Sequence, residues 1–323
     1  MHKIIRGLLA ACAALWLGAP LAQPNYPTKP IRFIVTFPPG GSSDLIARAL
    51  AAVLSERLRQ QVLVENRPGA GGNIGMDAVA KAAPDGYTMG LGAAGALAAN
   101  VSLYAKMPYD PVKDFAPVSN VAFVPFFLVA KTALPANDLR ELVALASAKP
   151  GQLMLGHGGN GTAMHLSGEL FKLMAKVQLT NVPYKGSGPA AIDAVSGQLD
   201  LAVVDVASAI NQVKAGRLKA IAVTSAKRVS VAPDVPTLAE AGLTGYEATG
   251  WFGVVMPAGT SPEIIGRMNN ELVTALKRQD IRERVIAAGA EPSPSTPQEF
   301  GALIRDEIAK WAQVVKISGA KPD

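Results

Sequence analysis

The segment FPPGGSSD (residues 37–44) lies between an apolar run, IRFIVT (31–36), and a stretch with helical periodicity at residues 45–58. Two prolines, two glycines and two serines in this position predict a loop that joins a strand to a helix. The first turn of such a helix exposes backbone N–H groups, and Ser42 or Ser43 is expected to cap it. The loop therefore has the composition of an anion-binding site.

Length and composition favour a globular protein of two domains. The chain has 323 residues, of which 49% are hydrophobic and 17% are charged. That is more chain than one compact domain usually takes, and the apolar fraction is large enough for a packed core. The formal net charge is +6, but no run of basic residues is interleaved with aromatic ones. Nucleic acid is therefore not predicted as a partner.

Residues 1–22 have the pattern of a secretory signal peptide. A short basic start precedes an apolar stretch at residues 7–17 and then small residues, and cleavage after Ala22 fits this pattern. The protein is therefore expected in the periplasm. Lipoprotein processing at Cys12 stays open as an alternative to cleavage by signal peptidase I. Cys12 is the single cysteine of the chain, so a mature protein would have no disulfide, no thiolate nucleophile and no cysteine metal ligand.

Apolar runs alternate with helical patterns along the chain. The runs at residues 31–36, 62–65 and 87–92 are separated by helical patterns at 44–59 and 73–82. A second series of the same kind follows further along the chain. Alternation of this type predicts an α/β fold built from βαβ units.

Two such series predict two lobes, each a mostly parallel sheet flanked by helices. We expect residues 23–127 and 251–323 to form lobe 1 and residues 128–250 to form lobe 2. The chain would then cross between the lobes near Phe127 and near Gly250. A cleft between two lobes is the natural place for a ligand.

Four strand-to-helix loops are candidates for binding, at residues 37–44, 92–96, 156–165 and 183–189. In the third of these Thr162 is the expected N-cap and His165 lies in the first helical turn. Helix N-termini carry unpaired N–H donors and partial positive charge, so they hold carboxylates and phosphates without a basic side chain. A glycine-rich loop alone is more often structural. Loops in matching places on two lobes favour a ligand site.

Motifs for catalysis and for nucleotide binding are missing. FPPGGSSD is not followed by the Lys-Ser/Thr of a P-loop, and neither GxSxG nor HExxH occurs. The histidines His157 and His165 do not have the spacing of a metal motif. We therefore predict no catalytic residue, metal ion or cofactor. A hydrolytic triad through His165 with Asp44 or Asp205 stays open as an alternative, and so does a purely structural histidine.

Acidic and aromatic residues at strand ends complete the set of candidates. Asp44 would favour the helix dipole at the first turn, whereas Asp205 ends a very apolar strand, where an acid needs a hydrogen bond or a ligand. Tyr184, Phe37 and Trp251 lie at strand ends or starts. Taken singly, such a residue is more often part of the core than a ligand contact, but together they would sandwich an apolar or aromatic ligand.

Recurring segments give the chain a resemblance to a known family. It resembles the Bug-type periplasmic solute receptors of tripartite tricarboxylate transporters in YPTKPIRFIVTFPPGGSSD, VENRPGAGGNIG, GNGTAMHLSGELF, VPYKGSGPA, APDVPTLAEAG and WFGVVMPAGT. The resemblance covers nearly all of the mature chain. It implies a two-lobed Venus-flytrap fold of the periplasmic-binding-protein type II kind, which closes on a carboxylate.

The resemblance also implies a function and a set of residues. The protein would capture a di- or tricarboxylate or an aromatic carboxylate and deliver it, as a monomer, to a membrane permease. A sensor for a membrane kinase and a secreted hydrolase stay open as alternatives. Backbone N–H groups, hydroxyls and ordered waters from both lobes would grip one carboxyl group. The predicted ligand-binding residues are Phe37, Gly40, Gly41, Ser42, Asp44, Ala93, Asn160, Gly161, Thr162, His165, Tyr184, Lys185, Ser187 and Asp205.

Small residues near the expected pocket bear on specificity. These residues are Ala93, Ala94, Ala96, Val203, Val204 and Val206. Their small apolar side chains predict a roomy, apolar pocket that suits an aromatic or longer-chain carboxylate.

Overall fold

The computed structural model describes residues 26–321. The predicted signal peptide at residues 1–22, with its alternative processing site at Cys12, lies outside the described residues. Across residues 26–321, none of the helices combines the length and the apolarity needed to span a bilayer.

Lobe 1 is built on a six-stranded sheet with the strand order β11-β4-β10-β3-β1-β2. Its strands are β1 (Ile31–Val35), β2 (Val62–Asn66), β3 (Thr88–Ala93), β4 (Phe115–Val124), β10 (Gly250–Pro257) and β11 (Glu291–Pro292). The helices of its first half are α1 (Ser42–Leu58), α2 (Asn73–Ala80) and, after a π-helical turn (Gly95–Ala99), α3 (Asn100–Leu103).

Lobe 2 is built on a five-stranded sheet with the order β7-β6-β8-β5-β9. Its strands are β5 (Phe126–Lys131), β6 (Met154–His157), β7 (Thr180–Pro183), β8 (Leu201–Asp205) and β9 (Leu218–Val223). The helices between them are α4 (Leu139–Ala148), α5 (Ala163–Ala175), α6 (Ser187–Ser196) and α7 (Val206–Lys214).

Both sheets are mixed, which corrects the expectation of mostly parallel pairing. β1 pairs in parallel with β2 and β3, but β10 is antiparallel to both of its neighbours. In lobe 2, β5 is likewise antiparallel to β8 and β9. The physical reason is the crossing of the chain: β5 and β10 enter their sheets from the other lobe, so they run against the strands of the βαβ units.

The first crossing lies at Pro125, two residues before the predicted position. β4 ends in the first sheet at Val124 and β5 begins in the second sheet at Phe126, so Phe127 already pairs within lobe 2. The second crossing enters β10 at Gly250, which pairs with Val124. The apolar run at residues 124–131 hid this boundary because both strands are buried. The other limits of the lobes stay predictions.

The C-terminal helices are α8 (Pro262–Lys277), α9 (Gln279–Ala287) and α10 (Pro297–Ser318). α8 begins as the sequence predicts, with Ser261 as N-cap and proline at the first helical position. α10 is joined to the first sheet by Glu307, whose carboxylate accepts hydrogen bonds from the indole N–H groups of Trp251 and Trp311 at 3.3 and 2.7 Å. The last helix thereby fixes the strand that crosses into lobe 1.

Candidate functional site

A cleft of about 410 Å³ lies between the two lobes. It is bounded by the crossing strands and by loops from both sheets. Its lining includes nine of the predicted residues, namely Phe37, Gly40, Gly41, Ser42, Ala93, Thr162, Lys185, Ser187 and Asp205. The volume falls within the range of small-molecule sites in proteins.

The first loop brings the start of α1 to this cleft. Gly41 is the N-cap, so the helix begins at Ser42, and no side chain caps it. The expectation that Ser42 or Ser43 caps the helix is therefore wrong, because both lie within its first turn. The Ser42 hydroxyl is buried in the cleft wall and has no hydrogen-bond partner among the described residues. A hydroxyl and the unpaired N–H groups of a helical turn thus face the same space.

Asp44 shapes this loop but does not line the cleft. Its carboxylate accepts hydrogen bonds from the Gly40 amide at 3.0 Å and from Asn66 at 3.0 Å, and it forms an ion pair with Arg48 at 2.9 Å. Burial raises the pKa of Asp44, but the hydrogen bonds from Arg48 and Gly40 outweigh burial and lower it. All of these partners belong to lobe 1. The sequence predicts that Asp44 contacts the ligand, but in the structure it stabilises the loop.

The loop at residues 156–165 brings the start of α5 to the cleft from lobe 2. Thr162 is its N-cap, as predicted, and accepts a hydrogen bond from the amide of His165 at 3.3 Å. The Thr162 hydroxyl donates to the carbonyl of Gly159 at 2.6 Å. The single hydrogen of this hydroxyl is therefore used within its loop and is not available to a ligand. The groups of α5 that can bind a ligand are the backbone N–H groups of its first two residues, Ala163 and Met164, which line the cleft.

The two histidines lie behind this loop and not in the cleft. Their rings stack with centroids 4.6 Å apart, and both are buried. His165 accepts a hydrogen bond from the amide of Gly161 at 3.4 Å, and its Nε2 lies 3.6 Å from a carboxylate oxygen of Glu169. His165 thus supports the loop, which corrects its placement among ligand contacts. His157 accepts from the amide of Gly159 at 3.3 Å.

Acid is expected to destabilise the protein through His157. Burial, with a smaller effect of His165, lowers the pKa of His157 to about 3. The unfolded chain takes up this proton near the ordinary pKa of about 6.5. Above about pH 6.5 His157 is neutral in both states, so the folded state keeps its full stability. As the pH falls from there towards 3, only the unfolded chain takes up the proton, and this stability is lost. The free energy of unfolding should drop by about 2 kcal/mol between about pH 7 and 5.

Urea denaturation at several pH values measures this dependence. The matched variant is His157→Asn, which keeps an acceptor for the Gly159 amide but does not titrate. Its stability should fall less steeply over the same interval. An equal slope in both proteins would contradict the role of His157.

The loop at residues 183–189 connects the helix starts of lobe 2 through hydrogen bonds. The Ser187 hydroxyl, in the first turn of α6, accepts from the amide of Asp205 at 3.1 Å and donates to the sulfur of Met164 at 2.9 Å. Asp205 caps α7, since its Oδ1 accepts from the amide of Ser208 at 2.8 Å. Oδ2 of Asp205 has no hydrogen bond within the described residues, and Asp205 lines the cleft.

Tyr184 does not face the cleft. Its hydroxyl donates to Asp193 at 2.7 Å, and its ring packs on the core behind β8. Asn160 and Gly161 also lie outside the lining and form a contact between the lobes. A Cβ atom added at Gly95 of lobe 1 would lie 2.2 Å from the carbonyl oxygen of Gly161. The two lobes therefore touch backbone to backbone at this point.

The apolar wall of the cleft comes mainly from the crossing strands, and sequence reasoning predicted only part of it. Ala93 and Ala94 line the cleft as expected, but Ala96 does not. The three valines around Asp205 (Val203, Val204 and Val206) are core residues. The apolar side chains of the wall include Phe37 and Trp251, which the sequence predicts beside the ligand, and Val124, Phe126 and Phe252, for which it makes no such prediction. The predicted crossings near Phe127 and Gly250 were the available signal, because residues beside a crossing border the cleft between lobes.

Charges in the cleft are sparse. Among its lining residues only Lys185 and Asp205 carry ionisable side chains. Within residues 26–321, no group of three or more histidine, cysteine, aspartate or glutamate side chains is arranged to hold a metal ion. The cleft thus offers helix starts, the buried hydroxyl of Ser42, which has no partner among the described residues, and an apolar wall.

Comparisons with known proteins agree with this geometry. A family model described as "Tripartite tricarboxylate transporter family receptor" matches residues 46–320. Protein BugT of Bordetella pertussis is 41% identical over 322 residues, which cover 99% of each chain.

Two solved structures are similar over most of this chain. "R. palustris Rpa4515 with adipate" is 38% identical, with a TM-score of 0.87 over 92% of this chain and 100% of the other. The structure of the periplasmic binding protein BugD is 35% identical, with a TM-score of 0.84 over 92% of this chain and 100% of the other.

Proposed function

We propose, from the premise that this chain belongs to the tripartite tricarboxylate transporter receptor family, that its cleft captures a small carboxylate in the periplasm for a membrane permease. The family match confirms the resemblance predicted from sequence motifs. The similarity to BugD confirms the predicted two-lobed fold of the periplasmic binding proteins. Members of this family are solute receptors and not enzymes, so the hydrolase alternative is wrong.

The observation that carries the proposal is the buried hydroxyl of Ser42. It faces the cleft at the start of a helix of 17 residues, where unpaired N–H groups and partial positive charge favour an anion. A buried hydroxyl without a partner is costly, and a carboxylate oxygen would remove that cost by accepting its hydrogen. α5 brings a second helix start from the opposite lobe. One carboxyl group held by both would join the lobes.

The chemistry of a relative supports a carboxylate over a phosphate. Rpa4515 is described with adipate, whose ends are carboxylates. The lining of the present cleft contains no arginine, and its one cationic side chain, Lys185, is exposed. Such a site suits a singly charged group better than a doubly charged phosphate. Export by residues 1–22, action as a monomer and docking to a permease belong to the same proposal.

Calorimetric titration of the mature chain tests this function. After removal of any co-purified solute, mono-, di- and tricarboxylates are titrated, with amino acids and sugars as controls. At least one carboxylate should bind, and that ligand should also raise the melting temperature because it binds only the folded form. Binding of sugars alone, or of nothing in the panel, would contradict the proposal.

Replacing Ser42 by alanine is expected to weaken carboxylate binding by at least about 1 kcal/mol, or roughly fivefold. The loss follows from removing a hydroxyl that donates to a charged acceptor. The matched control is Ser147→Ala, which removes an exposed hydroxyl on α4, outside the cleft lining. Equal dissociation constants for the two variants would show that Ser42 does not contact the ligand.

A further inference from the structure

The position of Asp205 points to the class of carboxylate that the cleft accepts. Asp205 pairs with Phe126 across β8 and β5, so the acid stands where the apolar wall meets lobe 2. One of its oxygens caps α7 through Ser208, and the other has no hydrogen bond within residues 26–321. An ionised carboxylate only accepts hydrogen bonds. A ligand beside it is therefore bound best when it presents a donor.

The same acid opposes a second carboxylate on the ligand. The start of α7 would otherwise be a further anion site, but the carboxylate of Asp205 already occupies it. A ligand carboxylate placed beside Asp205 would meet a like charge, and Lys185, which is exposed, is the one cationic side chain of the lining that could offset it. Repulsion of this kind is a common source of specificity between otherwise similar ligands.

The apolar wall defines the rest of the ligand. Four of its residues, Val124, Phe126, Trp251 and Phe252, lie on the crossing strands and are buried. Burial of an apolar body against them contributes in proportion to the area removed from water. A short, highly charged acid would leave this wall without a partner.

We propose that the ligand is a monocarboxylate with an apolar body, aromatic or aliphatic, that carries a hydrogen-bond donor, and that Asp205 selects this donor and excludes a second carboxylate. This inference rests on the proposed function, in which the first carboxylate binds at the starts of α1 and α5. It makes Asp205 the specificity residue of the cleft, in addition to its role as a helix cap.

Two matched series of acids test the inference by calorimetry. The aromatic series is benzoate, para-hydroxybenzoate and terephthalate, and the aliphatic series is hexanoate, its terminal hydroxy acid and adipate. Within each series the body is constant and only the second group changes. In at least one series, the wild-type protein should bind the hydroxy acid at least tenfold more tightly than the diacid, with the unsubstituted acid between them.

The variant Asp205→Asn tests the role of the Asp205 charge in ligand selectivity while it keeps the role of this residue as the N-cap of α7. Asparagine is a good N-cap, so α7 keeps its bond to Ser208 while the charge disappears. The ratio of hydroxy acid to diacid affinity should fall at least tenfold. The control is Asp193→Asn, which removes a charge from the same lobe at a residue bonded to Tyr184 and outside the cleft lining. That variant should keep the wild-type ratio.

The outcomes distinguish the two proposals. If no carboxylate in either series or in the wider panel binds, the proposed function fails. If carboxylates bind but the wild-type protein prefers the diacids, the inference fails and the proposed function stands. An unchanged ratio in Asp205→Asn, or an equal change in Asp193→Asn, also overturns the assignment to Asp205. The wild-type ranking decides the matter even if a variant does not fold.

Discussion

Replacing Gly253 by alanine is expected to lower the free energy of unfolding by about 3 kcal/mol. Gly253 lies in β10, between β3 and β4, and an added Cβ atom would lie 2.0 Å from Cζ of Phe300. The ring of Phe300 is fully buried and meets the ring of Trp251 edge to face at a centroid distance of 5.5 Å. It can therefore move only by disturbing a residue of the cleft wall.

A double-mutant cycle identifies the cause of that loss. Phe300→Ala alone should cost about 3–5 kcal/mol because it leaves a cavity. In the double variant Gly253→Ala/Phe300→Ala the new methyl group occupies part of this space. Urea denaturation should then give a total cost at least about 1 kcal/mol smaller than the sum of the single costs. Strict additivity would show that the steric conflict lies elsewhere.

The sequence predicts those parts of the fold that depend on local patterns. The apolar run of β1, the proline after Ser261 and the cap at Thr162 each determine a strand or helix boundary from a few neighbouring residues. β4 has no such local pattern. Its buried Ser119 and Asn120 form hydrogen bonds with Ser293 and Ser295, which lie more than 170 residues away in sequence. Local periodicity contains no information about such partners.

In the candidate site, too, one part could be predicted from local sequence patterns and another part could not. The loops that bring helix starts to the cleft follow from strand-helix alternation, and so the sequence locates Ser42 and Thr162. The roles of individual side chains do not follow. A serine beside a helix start is expected to cap it, but here the carboxylate of Asp44 holds the Gly40 amide and Ser42 lies one residue inside the helix. Only the geometry distinguishes a cap from a hydroxyl that faces the cleft.

The close contact between the lobes could not be predicted from local sequence patterns either, although three glycines lie at it. Gly95, Gly161 and Gly71 are ordinary loop and helix glycines in the sequence. In the structure an added Cβ at Gly161 would lie 2.5 Å from Oδ1 of Asn100, and one at Gly71 would lie 3.1 Å from the carbonyl oxygen of Asn160. Three glycines from two lobes thus permit one close approach. This approach is one of the contacts between the two lobes that border the cleft.

Replacing Gly95 by alanine should therefore weaken ligand binding at least tenfold while the protein stays folded. The backbone of Gly95 does not have a positive φ, so alanine is compatible with it. The added methyl group, 2.2 Å from the carbonyl oxygen of Gly161, forces the lobes apart by roughly 1 Å if normal contact distances are restored.

A gap of that size separates the two helix starts, so a ligand carboxylate loses its hydrogen bonds to one of them, which is worth about 1.5–3 kcal/mol for a charged acceptor. Calorimetric titration measures the loss. Gly266→Ala is the matched control, because a Cβ atom at this helical position of α8 has no heavy atom within 4 Å. If Gly95→Ala binds the ligand as tightly as this control does, then contact between the lobes at Gly161 is not required for the bound state, and the carboxylate is held by one lobe alone.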